Sequence, residues 1–147
     1  MTIERFIRWE PISGINCPCA DISFTYRGPE DLLVTMHFSR TAGCLPKDLF
    51  IKFNGAIIAR WESEDFGSLV QPLGAVDPKP VQLPRCRGDW ADWSYPLLQV
   101  EHSTYLATYE ARNPIATKGR VHFVLIGMND LLHIVALPEV EATWVEI

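Results

Sequence analysis

No run of lysine or arginine occurs in this chain, and its 13 basic side chains are outnumbered by 18 acidic ones, for a formal charge of −5. A nucleic-acid partner requires a concentrated basic footprint that releases counterions from phosphates, so no nucleic-acid partner is expected. Long apolar runs are missing as well. The longest covers about five residues, against the ~20 that a helix needs to cross a bilayer. The opening residues, MTIERFIRWEP, hold neither a continuous apolar stretch nor a small-residue cleavage site, and so do not read as a signal peptide. The expectation is a cytoplasmic chain with no membrane partner, whose thiols stay reduced.

Cysteine is scarce, at Cys17, Cys19, Cys44 and Cys86. Zinc knuckles and redox pairs use a C-x₂-C spacing that lets two thiolates reach one metal or close a small ring. One C-x-C and two singletons do not supply it. The stretch INCPCAD, residues 15–21, therefore reads as a turn that carries reduced thiols into the first clear strand. G-x-S-x-G, P-loop, dinucleotide and H-E-x-x-H signatures are absent from the sequence too. No catalytic residue is assigned on sequence grounds, and no cofactor is expected.

What is present is a period of two. In DISFTYR, Ile22, Phe24 and Tyr26 alternate with Ser23 and Thr25, as in a half-buried strand. In LLVTMHFSR, Leu32, Val34, Met36 and Phe38 alternate with Leu33, Thr35, His37 and Ser39. A Gly28-Pro29 turn between the two runs predicts a hairpin over about 21–39. Asn54-Gly55 lies between DLFIKF and AIIARWE, and is the strongest short-range hairpin signal, predicting a second hairpin over about 48–62. RVHFVLI and LLHIVAL predict a third over about 120–137, with a helix from Asn129 as its rival. ATWVEI adds a final strand over about 142–147.

Helical signals are few. Ser103 can cap a helix over about 103–112 that Asn113-Pro114 stops. Residues 2–9 offer a weaker helix, where a strand competes. From Phe66 to Pro96 the periodicity fails among Pro72, Pro78, Pro80, Pro84 and Pro96, predicting a long connection with short extended pieces near 80–83. The sum is an α+β fold: a predominantly antiparallel sheet built from hairpins, with one or two helices packed on it. At 147 residues, the whole chain, 1–147, is expected to form a single domain.

Two groups of residues stand out as candidate sites. Trp90, Asp92, Trp93 and Tyr95 sit in the irregular GDWADWSYP stretch rather than on a periodic face. Rigid aromatics of this kind either staple a loop to the core or dominate a protein interface. His122 and His133 share one side of the third hairpin, and His37 projects from the polar side of its own strand. Three imidazoles on one face would suit zinc or acid–base work, but the ordinary account is that Thr, Ser and His populate a wetted or helix-covered face. The carboxylate pairs, Glu62 with Glu64 and Asp65, and Asp89 with Asp92, read as loop solvation.

The function expected from these features is that of a small non-catalytic protein-binding module, immunity-like or regulatory, docking a protein partner through a sheet face or the 85–96 loop. The alternative is a small enzyme, or a ligand- or metal-binding protein, using the histidine-bearing face. A homodimer formed through exposed strand edges is a third possibility.

Overall fold

Asn54-Gly55 does not close a hairpin; it turns a corner between two sheets. The computed structural model describes residues 4–28, 32–41, 43–63, 83–128 and 130–146. Among these residues, nine antiparallel strands form a five-stranded sheet in the order β1-β6-β7-β8-β5 and a four-stranded sheet in the order β2-β3-β4-β9. The strands are β1 Arg5–Arg8, β2 Ile22–Tyr26, β3 Leu32–Met36, β4 Lys47–Phe53, β5 Ile58–Ser63, β6 Leu97–Glu101, β7 Val121–Ile126, β8 Asp130–Ala136 and β9 Val140–Glu146. Two helices, α1 Thr104–Arg112 and α2 Pro114–Thr117, separate β6 from β7. The α+β class and the antiparallel pairing match the sequence expectation, and β8 is a strand over 130–136 rather than the rival helix. The 2–9 segment departs from its helical expectation, because Arg5–Arg8 pairs with β6 as an edge strand.

The predicted 48–62 hairpin is replaced by a folded ribbon. β4 pairs with β9 and β5 pairs with β8; Phe53 opposes Val140, and Ile58 opposes Val135. Equal lengths of chain separate these pairs, so two long antiparallel segments bend over the same corner in step. Leu137 N donates to Asn54 O at 3.0 Å, and Asn54 Nδ2 donates to Glu139 O at 3.2 Å, tying the two bends together. Gly55 has φ +61°, and a Cβ there would lie 2.9 Å from Leu137. Gly55 supplies positive φ as expected, but Asn54 does not, and the pair serves a sheet-switching bend.

The corner lets both sheets bury their apolar faces against each other. Leu32, Val34, Met36, Leu49, Ile51 and Phe53 meet Leu97, Phe123, Leu125, Leu132 and Ile134 in one core. Trp9, Phe53 and Phe123 form its aromatic centre, with ring centroids 4.5–5.8 Å apart. The predicted alternation of β3 holds, since Leu32, Val34, Met36 and the following Phe38 are buried. β2 is an edge strand, which leaves Phe24 and Tyr26 partly exposed although they share the inward side of the hairpin.

On the outer face of the five-stranded sheet, α1 begins where Ser103 accepts from Leu106 N at 2.9 Å, as its hydroxyl predicts. It ends at Asn113, whose side chain caps α2 in turn. Tyr105 is the buried residue of α1. Glu64, Asp65 and the 64–82 portion of the proline-rich connection, with Pro72, Pro78 and Pro80, lie outside the described residues.

Candidate functional site

The GDWADWSYP stretch forms a tight loop. Tyr95 N donates to Pro84 O at 2.8 Å, Cys86 N to Trp93 O at 2.9 Å and Trp93 N to Trp90 O at 2.9 Å. Asn16 pins it from outside, accepting from Arg87 N at 2.7 Å and donating to Arg87 O at 3.2 Å. Tyr95 is fully buried, with the Arg8 guanidinium 4.3 Å above its ring centroid. Trp90 is half-buried against the core, whereas Trp93 is 45% exposed and meets Trp90 edge-on at 6.5 Å. The four residues singled out in sequence therefore divide. Tyr95 and Trp90 anchor the loop, while Trp93 and the exposed Asp92 face solvent.

The INCPCAD stretch lies directly beneath this loop, and its thiols are not all reduced. Cys17 is joined to Cys44 by a disulfide, with Cα atoms 6.2 Å apart, within the ordinary span of such a bond. Sequence spacing could not reveal this pairing, because the partners sit 27 residues apart and the fold alone brings them together. The disulfide, Asn16, Gly43, Leu45 and Trp90 line a cavity of about 200 Å³. Cys19 and Cys86 remain free and buried. Burial pushes both thiols above their ordinary range, so neither is a ready nucleophile.

The histidine trio is not one site. His122 on β7 and His133 on β8 share the outer face of the five-stranded sheet, as the hairpin predicted, but His37 follows β3 in the other sheet. Among the described residues, no three His, Cys, Asp or Glu side chains converge as metal ligands. His122 Nε2 lies 2.9 Å from His133 Nδ1, and Ser103 Oγ lies 2.8 Å from His122 Nδ1. Tyr105 stacks on both rings, at 4.8 and 5.1 Å. Burial is the main reason, and the His133 charge a lesser one, that the His122 pKa is held down to about 3. A cleft of about 500 Å³ opens beside Ser103, lined by Glu4, His102, Thr104, Glu110 and Arg120. Glu4 accepts from both Thr104 N and Thr104 Oγ1, so this carboxylate is occupied in holding the start of α1.

His37 belongs to a different arrangement, which sequence reasoning only half found. Its Nε2 lies 2.8 Å from Ser23 Oγ, and its Nδ1 lies 3.1 Å from Asp48 Oδ2. Asp48 Oδ1 accepts from Ser39 N at 3.0 Å and from Ser39 Oγ at 2.6 Å. Burial would raise the Asp48 pKa, but the Ser39 hydrogen bonds and His37 outweigh it and hold the carboxyl below its ordinary range. An ionised carboxylate only accepts hydrogen bonds, so Nδ1 carries the proton and Nε2 offers its lone pair to the Ser23 hydroxyl. The alternation of the first hairpin places Ser23 and His37 on one face. Asp48 joins them only because β4 lies against β3.

Among the described residues, no helix is long and apolar enough to cross a membrane. No family model, curated protein or solved structure matches this chain.

Proposed function

We infer that this protein is a protein-binding module that docks its partner through the 84–95 loop. The observation that carries this reading is the exposure of Trp93 on a loop whose other aromatics are anchored. Tyr95 is buried, Trp90 packs on the core and Asn16 clamps Arg87. A large ring held in place before binding loses little entropy when it is covered, the property that makes tryptophan an interface hot spot. Asp89 and Asp92 flank it in the exposed part of the loop, and the chain carries a net charge of −5. The complementary partner is a protein with an apolar socket rimmed by basic side chains. An immunity-like or regulatory role fits such a module.

The test is affinity capture from the native lysate, followed by Kd measurement on the recovered protein. Trp93→Ala is expected to weaken binding by at least ~30-fold, the scale of a hot-spot truncation, while Trp61→Ala leaves it unchanged. A partner that binds Trp93→Ala as tightly as the wild-type chain would overturn the assignment.

A further inference from the structure

Ser103 and Ser23 each contact a histidine, and of these two the Ser23 contact has the connectivity of a nucleophilic triad. Ser103 caps α1, is buried, and bonds to His122, whose other nitrogen meets a second imidazole rather than a carboxylate. Ser23 is exposed on an edge strand. It bonds to His37 Nε2, and the His37 Nδ1 side is closed by a carboxylate that Ser39 fixes through both its amide and its hydroxyl. The Asp48 side chain is only 9% exposed and that of His37 only 12%. Base and orienting group are therefore shielded, while the nucleophile faces solvent. This is the order of roles that activates a serine: hydroxyl, lone pair, ring proton, carboxylate.

Ser23 on β2, His37 just after β3 and Asp48 on β4 lie side by side on the outer face of the four-stranded sheet. Ser23 opposes Thr35, and Thr35 opposes Phe50 in the next strand. Asp48 opposes Val145, which is 46% exposed. The surface leading away from Ser23 thus runs over Thr35 to the half-buried Phe50, with Val145 alongside. We propose that Ser23, His37 and Asp48 form an acyl-transfer site for carboxylic esters with an apolar acyl group, Ser23 being the nucleophile, His37 the general base and Asp48 the positioning residue.

In the acylation step, Ser23 Oγ adds to the ester carbonyl carbon while its proton passes to His37 Nε2. The tetrahedral adduct collapses with cleavage of the C–O bond to the alcohol, which leaves with that proton. Water then adds to the acyl-serine, again giving its proton to His37 Nε2. The carboxylic acid departs and the Ser23 hydroxyl is restored. Ester plus water gives acid plus alcohol, with no further reactant. Asp48 keeps its charge throughout and stabilises the imidazolium.

The test treats the full chain with an alkyl fluorophosphonate, in which Ser23 Oγ displaces fluoride from phosphorus, and maps the adduct by peptide mass spectrometry. The expected result is a single adduct on Ser23, formed at least ~100-fold faster than on any other exposed serine, the scale of general-base assistance. The rate should rise with pH, as expected when the base must be neutral to accept the proton. His37→Gln should be slower by at least ~100-fold and lose that pH dependence. Asp48→Asn should be slowed similarly, because the ring proton is no longer fixed on Nδ1. Ser23→Ala, a change on an exposed edge strand, should fold normally and take up no label. An unlabelled Ser23 in the folded wild-type chain would overturn the proposal. So would labelling that is unchanged in either ring or carboxylate variant, or that is independent of pH.

Discussion

His122 and His133 share a hydrogen bond of 2.9 Å, with ring planes within 25° and centroids 5.1 Å apart. An N···N hydrogen bond needs one donor and one acceptor, so the two rings cannot both be imidazolium in the folded state. This makes the outer face of the five-stranded sheet sensitive to acid.

Burial keeps His122 neutral in the folded chain down to about pH 3, whereas in the unfolded chain it protonates near pH ~6.5. Between those limits the unfolded state binds more protons, so stability falls as pH falls, by up to about 1.4 kcal/mol per pH unit. Asp48 acts lower down: its pKa lies below the ordinary value, so its contribution is present above pH ~3.9 and is lost as pH falls through its folded pKa. Urea titrations from pH 7 to pH 4 should show the loss. A His122→Gln chain should show a shallower slope; an equal slope would mean that His122 is not the group responsible.

Tyr95 Oη is buried with no hydrogen-bond partner among the described residues, and burial pushes its pKa above the ordinary phenol range. Its contribution therefore comes from the ring and not the hydroxyl. Tyr95→Phe should be neutral or slightly stabilising, because it removes an unsatisfied polar atom. Tyr95→Ala should cost about 3–5 kcal/mol, as for other large aromatic truncations in a core. Thermal or urea denaturation of the two variants checks the contrast, and equal losses would contradict it.

The Cys17–Cys44 disulfide spans 27 residues. Closing a loop of that length in the unfolded chain corresponds to about 3.5 kcal/mol on the chain-entropy scale. Reduction should lower the urea midpoint accordingly. In the unreduced, denatured protein, alkylation should modify Cys19 and Cys86 only. Modification of all four cysteines without reductant would show that the bond is not formed.

Gly55→Ala places a Cβ at φ +61° and 2.9 Å from the Leu137 side chain. Either effect alone is unfavourable, and together they should destabilise the chain by about 1–3 kcal/mol. Hydrogen exchange should show the loss first at Ile57 and Leu137, whose amides bond across the corner to Val135 and Asn54.

The sequence by itself determined the local geometry. Alternation in ISFTY and LLVTM marked the faces of β2 and β3, Ser103 and Asn113-Pro114 bounded α1, and the β7–β8 hairpin put His122 and His133 on one side. These features depend on side-chain period and backbone dihedrals, both of which act between near neighbours. Only the tertiary structure decided which strands lie side by side. Gly55 supplies a positive φ, but Asn54 does not, so the pair turns a corner rather than closing the two-residue hairpin that its sequence suggests. At the corner β4 pairs with β9 and β5 with β8, and the two sheets so formed bury their apolar faces against each other. The strand order split the three histidines between two sheets, and its β3–β4 pairing brought Asp48 against His37. It also set Cys17 beside Cys44, and sent Tyr95 inward while Trp93 stayed outside. Each of these depends on contacts between residues far apart in the chain, which no local period encodes.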